Sequence, residues 1–359
     1  MDVAVLGATG DVGRAICAEL IERRVLSGSS RLQLVGRADG PSGRAAQGLR
    51  VDLIDAHDEH APLIDVAFSP ADVVADVIVV AAGRTIPTGV GHVVDRDGLA
   101  LANRAVFEEY ADAIAATGSG HEVVIVVSNP VELGVSIFAE RLGRHRVIGM
   151  GAWLDTLRFR REIAASLGIR RQRVGGFVTG QHGDGAVPLW SSVRIRGLDV
   201  PERVESLAAL RGPRTLASFG DEVAAAKAEL GAISASADAE SLVAAFARID
   251  RWRPDVQAVV RPYLTHQSGA KTAFGTAGAA VDLIDTVLDG RDIVVAGQVA
   301  LDGEISLGGA PWRGTLGLPV VLGPDGWTHV LLGELAEDEE ERLRAVGAQI
   351  DAAIARWTA

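Results

Sequence analysis

Cysteine, lysine and long apolar runs are scarce in this sequence, and each shortage excludes a class of protein. Cys17 is the single cysteine in 359 residues, so the chain can form neither an intrachain disulfide nor a cysteine-rich zinc site. It lies in an apolar helical pattern and is expected in the core. No apolar run approaches the roughly 20 residues of a membrane-spanning helix, and the opening MDVAVLGATG has no signal-peptide pattern. We therefore expect a soluble protein of the cytoplasm.

Positive charge is also in deficit, with 35 Lys and Arg against 47 Asp and Glu and a formal net charge of -12. This balance disfavours nucleic acid and anionic membranes as partners. Only two of the basic residues are lysines, Lys227 and Lys271. The others are arginines, whose planar guanidinium suits carboxylates and phosphates.

Residues 1–150 alternate short apolar runs with segments of helical period. The runs VAVLG, LQLVG, DVIVVAAG, EVVIVVSNP and RVIGMG are continuous in Val, Ile and Leu, which is typical of strands buried on both faces. Such strands, with helices between them, predict an α/β fold: a Rossmann-type doubly wound parallel sheet.

Residues 151–359 follow a different pattern and predict a second domain of mixed α+β structure. A helix is expected from about Leu154 to Leu167, then strands at GGFVTG and SSVRIRGL and a long alanine-rich helical stretch from about 201 to 260. A helix through GTAGAAVDLIDTVL, strands at DIVVAGQVAL and LPVVLGPDGW and a closing acidic helix from about Glu337 follow. Two such domains are expected to press together around a cleft.

The segment GATGDVG follows the first strand directly and opens a helix. Glycines there permit a tight turn and a close approach of backbone to a ligand, so the helix N-terminus can meet a pyrophosphate. This pattern indicates a dinucleotide site with contacts at Gly7, Thr9, Gly10, Asp11, Val12 and Gly13. The alternative is that these glycines serve packing alone.

The second strand ends at Gly36 and Arg37, where an NAD-binding domain usually places an acid for the ribose hydroxyls. Without the acid nothing repels a 2'-phosphate, and the Arg37 guanidinium can pair with it. We therefore predict NADP(H) in preference to NAD(H). The alternative is that Arg37 is a solvated loop residue and that the preference is weak.

Four further motifs lie at predicted strand ends or helix starts. They are VSNPVE with Asn129, GMGAWLDTLRFR with Asp155 and Arg158, TGQHGDG with His182, and RDGLALAN with Arg96. Together with GATGDVG, and in this order, they resemble the lactate/malate dehydrogenase family. The resemblance covers nearly the whole chain, including QGLRVDLIDAH, GAKTAFG and LGLPVVLGPDGW.

The resemblance implies a role for each matched residue. His182 would donate a proton to the 2-oxo group in reduction and accept one in oxidation, while Asp155 orients the imidazole and favours its charged form. Arg158 would clamp the substrate carboxylate, Arg96 would polarise the carbonyl from a mobile loop, and Asn129 would hydrogen-bond the reacting oxygen. Further substrate contacts are expected at Arg84 and Thr272, and further cofactor contacts at Ala82, Gly83, Asn103, Ser128 and Asn129.

The chemistry supports the same reading independently. Hydride transfer to a ketone leaves an alkoxide, which needs a proton from a group that titrates near neutrality and positive charge near the oxygen. A histidine with a carboxylate partner and arginines supplies both. The sequence thus predicts an oxidoreductase that transfers a hydride between NADP(H) and a 2-oxo or 2-hydroxy carboxylic acid, with a malate- or oxaloacetate-like substrate favoured. No metal is required.

Two segments depart from the family pattern. The loop between Gly83 and Arg96 is longer than the family loop, and counting back from Arg96 places Val90 where malate enzymes read a second carboxylate. His92 in this loop is either an acid contact or a solvated residue. A helical insertion around 201–262 either packs within the subunit, contacts another subunit, or walls an enlarged substrate pocket.

Other interpretations stay open. The family resemblance favours a homodimer or homotetramer, and the acidic, histidine-containing DAHDEH segment near residue 57 is interpreted as a solvated helix end. An NAD-dependent malate or lactate dehydrogenase, or a reductase of a specialised 2-oxo acid, is the alternative function within this fold. A non-catalytic dinucleotide-binding protein is the alternative from another class, since fold alone does not prove activity.

Overall fold

The computed structural model describes residues 1–85, 87–89 and 95–359, and its first half is a doubly wound α/β unit. Its elements are β1 (Val3–Leu6), α1 (Asp11–Glu22), β2 (Arg31–Val35), α2 (Pro41–Ala56), β3 (Leu63–Ala67), β4 (Val77–Val80), α3 (Arg96–Thr117), β5 (Val123–Val126), α4 (Val131–Leu142) and β6 (Val147–Gly149). The strands stand in the order β3-β2-β1-β4-β5-β6, and all their pairings are parallel. The predicted Rossmann-type sheet is confirmed.

The apolar runs form these strands because helices cover both faces of the sheet. β1, β4 and β5 are buried at every position. The strand order reverses between β1 and β4, and the crevice at such a reversal is where doubly wound folds bind their ligands. Cys17 on α1 is fully buried as expected, and burial raises the pKa of its thiol to about 12.

The second half continues the same sheet with antiparallel strands. Its elements are α5 (Gly151–Ser166), β7 (Val174–Gly180), β8 (Ala186–Ile195), α6 (Val200–Arg211), α7 (Phe219–Ile233), α8 (Ala239–Ile249), α9 (Pro254–Gln267), α10 (Ala273–Asp289), β9 (Ile293–Leu307), β10 (Ala310–Gly323), β11 (Gly326–Val330) and α11 (Glu337–Thr358). β9 meets β6 where Gln298 lies opposite Gly149. The mixed architecture agrees with the prediction, while the division of the chain at residue 150 stays a prediction.

The alanine-rich helical stretch consists of four helices, α6 to α9. Gly212, with φ +66, ends α6, and Pro254 opens α9 at a position where its missing N–H costs nothing. Phe219, Leu230 and Ile249 from this stretch are fully buried. These helices therefore pack within the subunit.

Two polar contacts tie this helical stretch to the rest of the domain. The indole N–H of Trp190 in β8 donates to the Asp255 carboxylate at 3.1 Å, and both side chains are buried. Arg261 of α9 donates two hydrogen bonds to the buried Glu162 of α5. The stretch is thereby bound to the helix that carries Asp155 and Arg158.

The described residues contain neither a membrane-spanning helix nor a cluster of metal ligands. None of their helices is long and apolar enough to cross a membrane. Their His, Cys, Asp and Glu side chains form no group of three that could hold a metal ion.

Candidate active site

A cavity of about 190 Å³ lies beside the carboxyl ends of the parallel strands. It is lined by residues from both halves of the chain and from the helical stretch at 200–267. The predicted site residues among them are Arg96, Asn129, Asp155, Arg158, His182 and Thr272. Six residues that the sequence motifs place far apart in the chain thus meet in one cavity.

His182 stands in the tight turn that joins β7 to β8. Gly183 takes a φ of +88, a left-handed conformation that glycine adopts without strain, so the turn can close directly after the histidine. The imidazole Nδ1 lies 2.8 Å from Oδ2 of Asp155, and the Gly183 N–H donates to the same oxygen at 3.1 Å. Since Nδ1 faces the carboxylate, Nε2 is the ring nitrogen that can reach a ligand.

Burial and charge act in opposite directions on this pair. Burial lowers the pKa of His182, but the charge and hydrogen bond of Asp155 outweigh it, so that the pKa is raised. Burial also raises the pKa of Asp155, yet His182 and Arg158 hold it below its usual value. The pair therefore favours an imidazolium beside a carboxylate near neutral pH.

Two arginines bring positive charge to the same cavity. Arg158 is three residues after Asp155 on α5, which puts both side chains on one helix face, and its Nη1 donates to Oδ1 of Asp155 at 3.1 Å. Its side chain is only 12% exposed. Arg96 is the first residue of α3, and its Nη2 lies 3.4 Å from the His182 carbonyl oxygen. Both cations therefore flank the imidazole.

Asn103, a predicted cofactor contact, lies between the loop at Arg84 and the loop at Asn129. Its side chain is fully buried, accepts from the Arg84 N–H at 2.7 Å, and donates to the carbonyl oxygens of Arg84 and Asn129. A Cβ on Gly83 would lie 2.6 Å from its amide oxygen. The Asn103 side chain thus joins two loops, and its contact with a cofactor stays a prediction.

Arg84 is not among the residues that line the cavity. Its side chain is exposed, while its backbone N–H and carbonyl are held by Asn103. These bonds fix the backbone of Arg84 and not its side chain, so the substrate contact predicted for Arg84 stays a prediction. Val90 and His92 lie outside the described residues.

The Gly-rich turn fits a dinucleotide pyrophosphate. Gly7 has a φ of +77, and a Cβ there would lie 2.7 Å from the Ala81 carbonyl oxygen; a Cβ on Gly13 would lie 2.3 Å from that of Gly7. Neither position admits a side chain. In the described part of the chain no side chain caps the N-terminus of α1, so its first N–H groups remain available to an anion.

The remaining predicted cofactor residues surround this turn. Thr9, Gly10, Asp11 and Val12 complete the turn and the first turn of α1, with Thr9 accepting from Arg14 at 2.9 Å. The Ser128 hydroxyl donates to the Ala82 carbonyl oxygen at 2.7 Å, which holds together the loops after β4 and β5. Asp11 pairs with Lys271 at 2.5 Å.

The end of β2 carries an exposed cation, Arg37. Gly36 is buried, whereas the Arg37 side chain is 62% exposed and lies 3.9 Å from Glu109. The Arg37 N–H donates to the Ser42 hydroxyl at 3.1 Å, at the start of α2. An exposed pair at this distance contributes little to stability, so the guanidinium is available to another anion.

Sequence reasoning missed two residues that position His182. Glu132 is buried, and its carboxylate accepts the His182 N–H at 2.7 Å; burial raises its pKa. Gly151 opens α5 against the imidazole, where a Cβ would lie 2.6 Å from the His182 Cβ. Glu132 stood in the quoted VSNPVE motif and Gly151 in GMGAWLDTLRFR, but only tertiary contacts reveal their roles.

A nucleotide-binding crevice beside an Asp-oriented histidine and two arginines is what a nicotinamide-dependent oxidoreductase requires. Comparisons with known proteins identify the family. Residues 1–149 match the family model described as lactate/malate dehydrogenase, NAD binding domain, and residues 265–359 match lactate/malate dehydrogenase, alpha/beta C-terminal domain. The chain belongs to the lactate/malate dehydrogenase family, as the sequence motifs predicted.

Individual relatives agree with these matches. The malate dehydrogenase of Halobacterium salinarum is 27% identical over 354 residues, covering 98% of this chain and 97% of that protein. The malate dehydrogenase of Methanosphaera stadtmanae is 30% identical over 223 residues, covering 57% of this chain and 67% of that protein.

Solved structures show the same fold. A lactate dehydrogenase of Cryptosporidium parvum, complexed with lactic acid and nicotinamide adenine dinucleotide, matches with a TM-score of 0.75 at 21% identity, covering 99% of this chain and 98% of that one. The malate dehydrogenase of the same organism matches with a TM-score of 0.74 at 20% identity and equal coverage.

Proposed function

We propose that this chain is an NADP(H)-linked dehydrogenase that interconverts a small 2-oxo acid and its 2-hydroxy acid, with oxaloacetate and malate as the leading pair. The contact of His182 Nδ1 with Asp155 at 2.8 Å, beside Arg158, carries the proposal. The cavity of about 190 Å³ is smaller than the roughly 300–1,000 Å³ that drug-sized ligands occupy. A substrate of a few carbon atoms suits it.

The residues of the chain divide the reaction between them. When bound, the nicotinamide supplies or accepts the hydride. Arg158 binds the substrate carboxylate through its planar guanidinium, and Asn129 and Arg96 face the carbonyl oxygen. The Nε2 proton of His182 passes to that oxygen during reduction and returns during oxidation, while Asp155 keeps the ring oriented.

The cofactor contacts follow from the same geometry. The backbone at Gly7, Gly10 and Gly13 holds the pyrophosphate at the N-terminus of α1. Gly36 leaves room for the ribose, and Arg37 pairs with a 2'-phosphate. Asn103 is a positioning residue that keeps Asn129 and the loop at Arg84 in register. Thr272, at the start of α10, completes the substrate contacts.

The proposal is tested by following absorbance at the nicotinamide band with purified full-length protein. NADPH and NADH are each supplied with oxaloacetate, pyruvate and 2-oxobutyrate. We expect oxidation of NADPH to be fastest with oxaloacetate. If none of these acids is reduced, the proposed substrate is wrong. If NADH is oxidised and NADPH is not, the proposed cofactor is wrong.

Cofactor choice depends on Arg37. We expect Arg37→Asp to raise the KM for NADPH by about tenfold to hundredfold, because a carboxylate replaces the partner of the 2'-phosphate. The KM for NADH should change little or fall. Arg44→Asp on the exposed surface of α2 is the matched control for charge reversal. Equal changes for both cofactors would remove the assignment.

A symmetric homodimer or homotetramer is the proposed assembly. Large apolar side chains that a monomer would leave in water support it, among them Val51 and Phe274, which are 56% and 84% exposed. Light scattering of the purified protein gives the particle mass directly, and a monomeric mass would exclude this assembly.

A further inference from the structure

One wall of the cavity comes from the helical stretch at 200–267 and has no part in the reaction described above. Lys227 of α7 and three residues of α9, Pro262, Tyr263 and His266, line the cavity together with His182 and Arg158. The loop after β4 rests on this wall, since the Gly89 N–H donates to the His266 carbonyl at 2.9 Å. A substrate in the cavity therefore lies against α7 and α9.

Lys227 joins Arg96 and Arg158 as a basic side chain among the described residues that line this cavity. Its side chain is only 20% exposed, and its ammonium lies 5.0 Å from the centroid of the Tyr263 ring. It forms an ion pair with Asp184, which follows His182 by two residues. The ammonium is thus held beside the catalytic turn.

The ion pair with Asp184 does not prevent Lys227 from binding a ligand. The Asp184 side chain is 59% exposed, so water can solvate its carboxylate when Lys227 turns to another anion. The lysine ammonium is a compact charge on a flexible stem, so it can move from Asp184 to a substrate anion at small cost. The Tyr263 ring keeps it near the cavity during that exchange.

The other charges of the cavity already have roles. Arg158 takes the carboxylate next to the carbonyl, and Arg96 lies beside the carbonyl oxygen. Among the anions, Asp155 is neutralised by His182 and Arg158, and burial raises the pKa of Glu132, which favours its neutral form. Burial also lowers the pKa of His266, followed by the charge of Arg158, so this histidine favours its neutral form. Among the described residues that line the cavity, Lys227 is therefore the cation left for a second anionic group.

We propose that Lys227, presented by α7 against Tyr263, is the specificity residue that binds the distal anionic group of a dicarboxylic 2-oxo acid. This inference rests on the proposed function and names the part of the substrate that the helical stretch recognises. It predicts a preference for an acid with carboxylates at both ends over an equally long acid with one.

Kinetics of Lys227→Met with oxaloacetate and 2-oxobutyrate test this role, because the two acids share four carbon atoms and differ in the second carboxylate. We expect the KM for oxaloacetate to rise about tenfold to hundredfold, with kcat and the KM for 2-oxobutyrate nearly unchanged. Lys227→Arg, which keeps the charge, should recover most of the loss. Asp184→Asn, which removes the competing carboxylate, should lower the KM for oxaloacetate.

The control is Arg214→Met, which removes one positive charge from the same stretch at a side chain that is 61% exposed. We expect no change in the preference between the two acids. A preference that stays constant in Lys227→Met while the parent turns over both acids overturns the role of Lys227 and leaves the proposed function standing.

A binding measurement separates the two proposals if the parent reduces neither acid. Succinate and butyrate are four-carbon acids with two carboxylates and one, and ligands that bind the folded state raise the Tm. With NADPH present, we expect succinate to raise the Tm of the parent more than butyrate does. In Lys227→Met, the two acids should raise the Tm equally. A Tm difference that survives in Lys227→Met overturns the inference without reference to activity.

Discussion

His182→Asn is expected to lower kcat for the reduction of oxaloacetate by about 10³-fold to 10⁴-fold, while NADPH binding is retained. The asparagine amide can still meet Asp155, but it cannot deliver a proton to the alkoxide as it forms, and a positioned acid contributes up to about 10⁴ in rate. Steady-state kinetics measure the loss, and titration of cofactor fluorescence measures binding.

The pH profile sharpens this test. Because Asp155 raises the pKa of His182, reduction needs the protonated form that is present below this pKa. In the parent, kcat/KM for reduction should therefore be constant at low pH and fall as pH rises through the raised pKa, and oxidation should show the opposite trend. His121→Asn, at an exposed histidine, is the control and should keep this profile.

Turnover of His182→Asn within a few fold of the parent would show that another group transfers the proton.

Arg158→Leu is expected to reduce kcat/KM for every 2-oxo acid by about 10³-fold, the loss that follows from leaving a buried carboxylate without its charged partner. The reason is that the guanidinium is only 12% exposed and is held beside His182 by its hydrogen bond to Asp155. Arg158→Lys keeps the charge without the planar fork and should fall between parent and leucine variant. Stopped-flow binding of NADPH should be unchanged.

Arg161→Leu is the matched control for this prediction. Arg161 lies one turn further along α5, pairs with Glu162, and is 48% exposed, so its removal deletes the same charge outside the cavity of His182. An equal loss of kcat/KM in both variants would indicate that the effect comes from net charge or from damage to α5. It would then not come from a substrate clamp.

The sequence predicted the elements whose burial is continuous and missed those whose burial is partial. β1, β2, β4, β5 and β6 were all expected, because helices bury them on both faces. β3 is an edge strand in which Leu63 is 64% exposed and only Ile64 and Ala67 are buried. Such a strand resembles a loop in its composition, since half of its side chains face water. The exact bounds of α6, α7, α8 and α9 were not predicted, since alanine-rich segments keep their helical character across the breaks.

The residues of the site divide in the same way into those that local motifs predict and those that only long-range contacts reveal. His182, Asp155 and Arg158 belong to motifs whose residue types and order carry the chemistry, and the structure brings them together. Lys227 stands in an ordinary amphipathic segment, and Glu132 reaches His182 across 50 residues of chain. Asn103 was expected to contact the cofactor, which stays a prediction, and the structure adds that its buried side chain joins two loops. Contacts of this kind depend on the packing of α7, α9 and α3, which no local pattern encodes.

The placement of the two lysines makes the protein suited to selective chemical labelling. Lys227 faces the substrate cavity, and Lys271 pairs with Asp11 at the first turn of α1. These are the only ε-amino groups in a chain rich in arginine, so an amine-directed fluorophore attaches to lysine side chains only at these two positions. Protection of Lys271 by the dinucleotide and of Lys227 by the acid would then report on the occupancy of each half of the cleft separately.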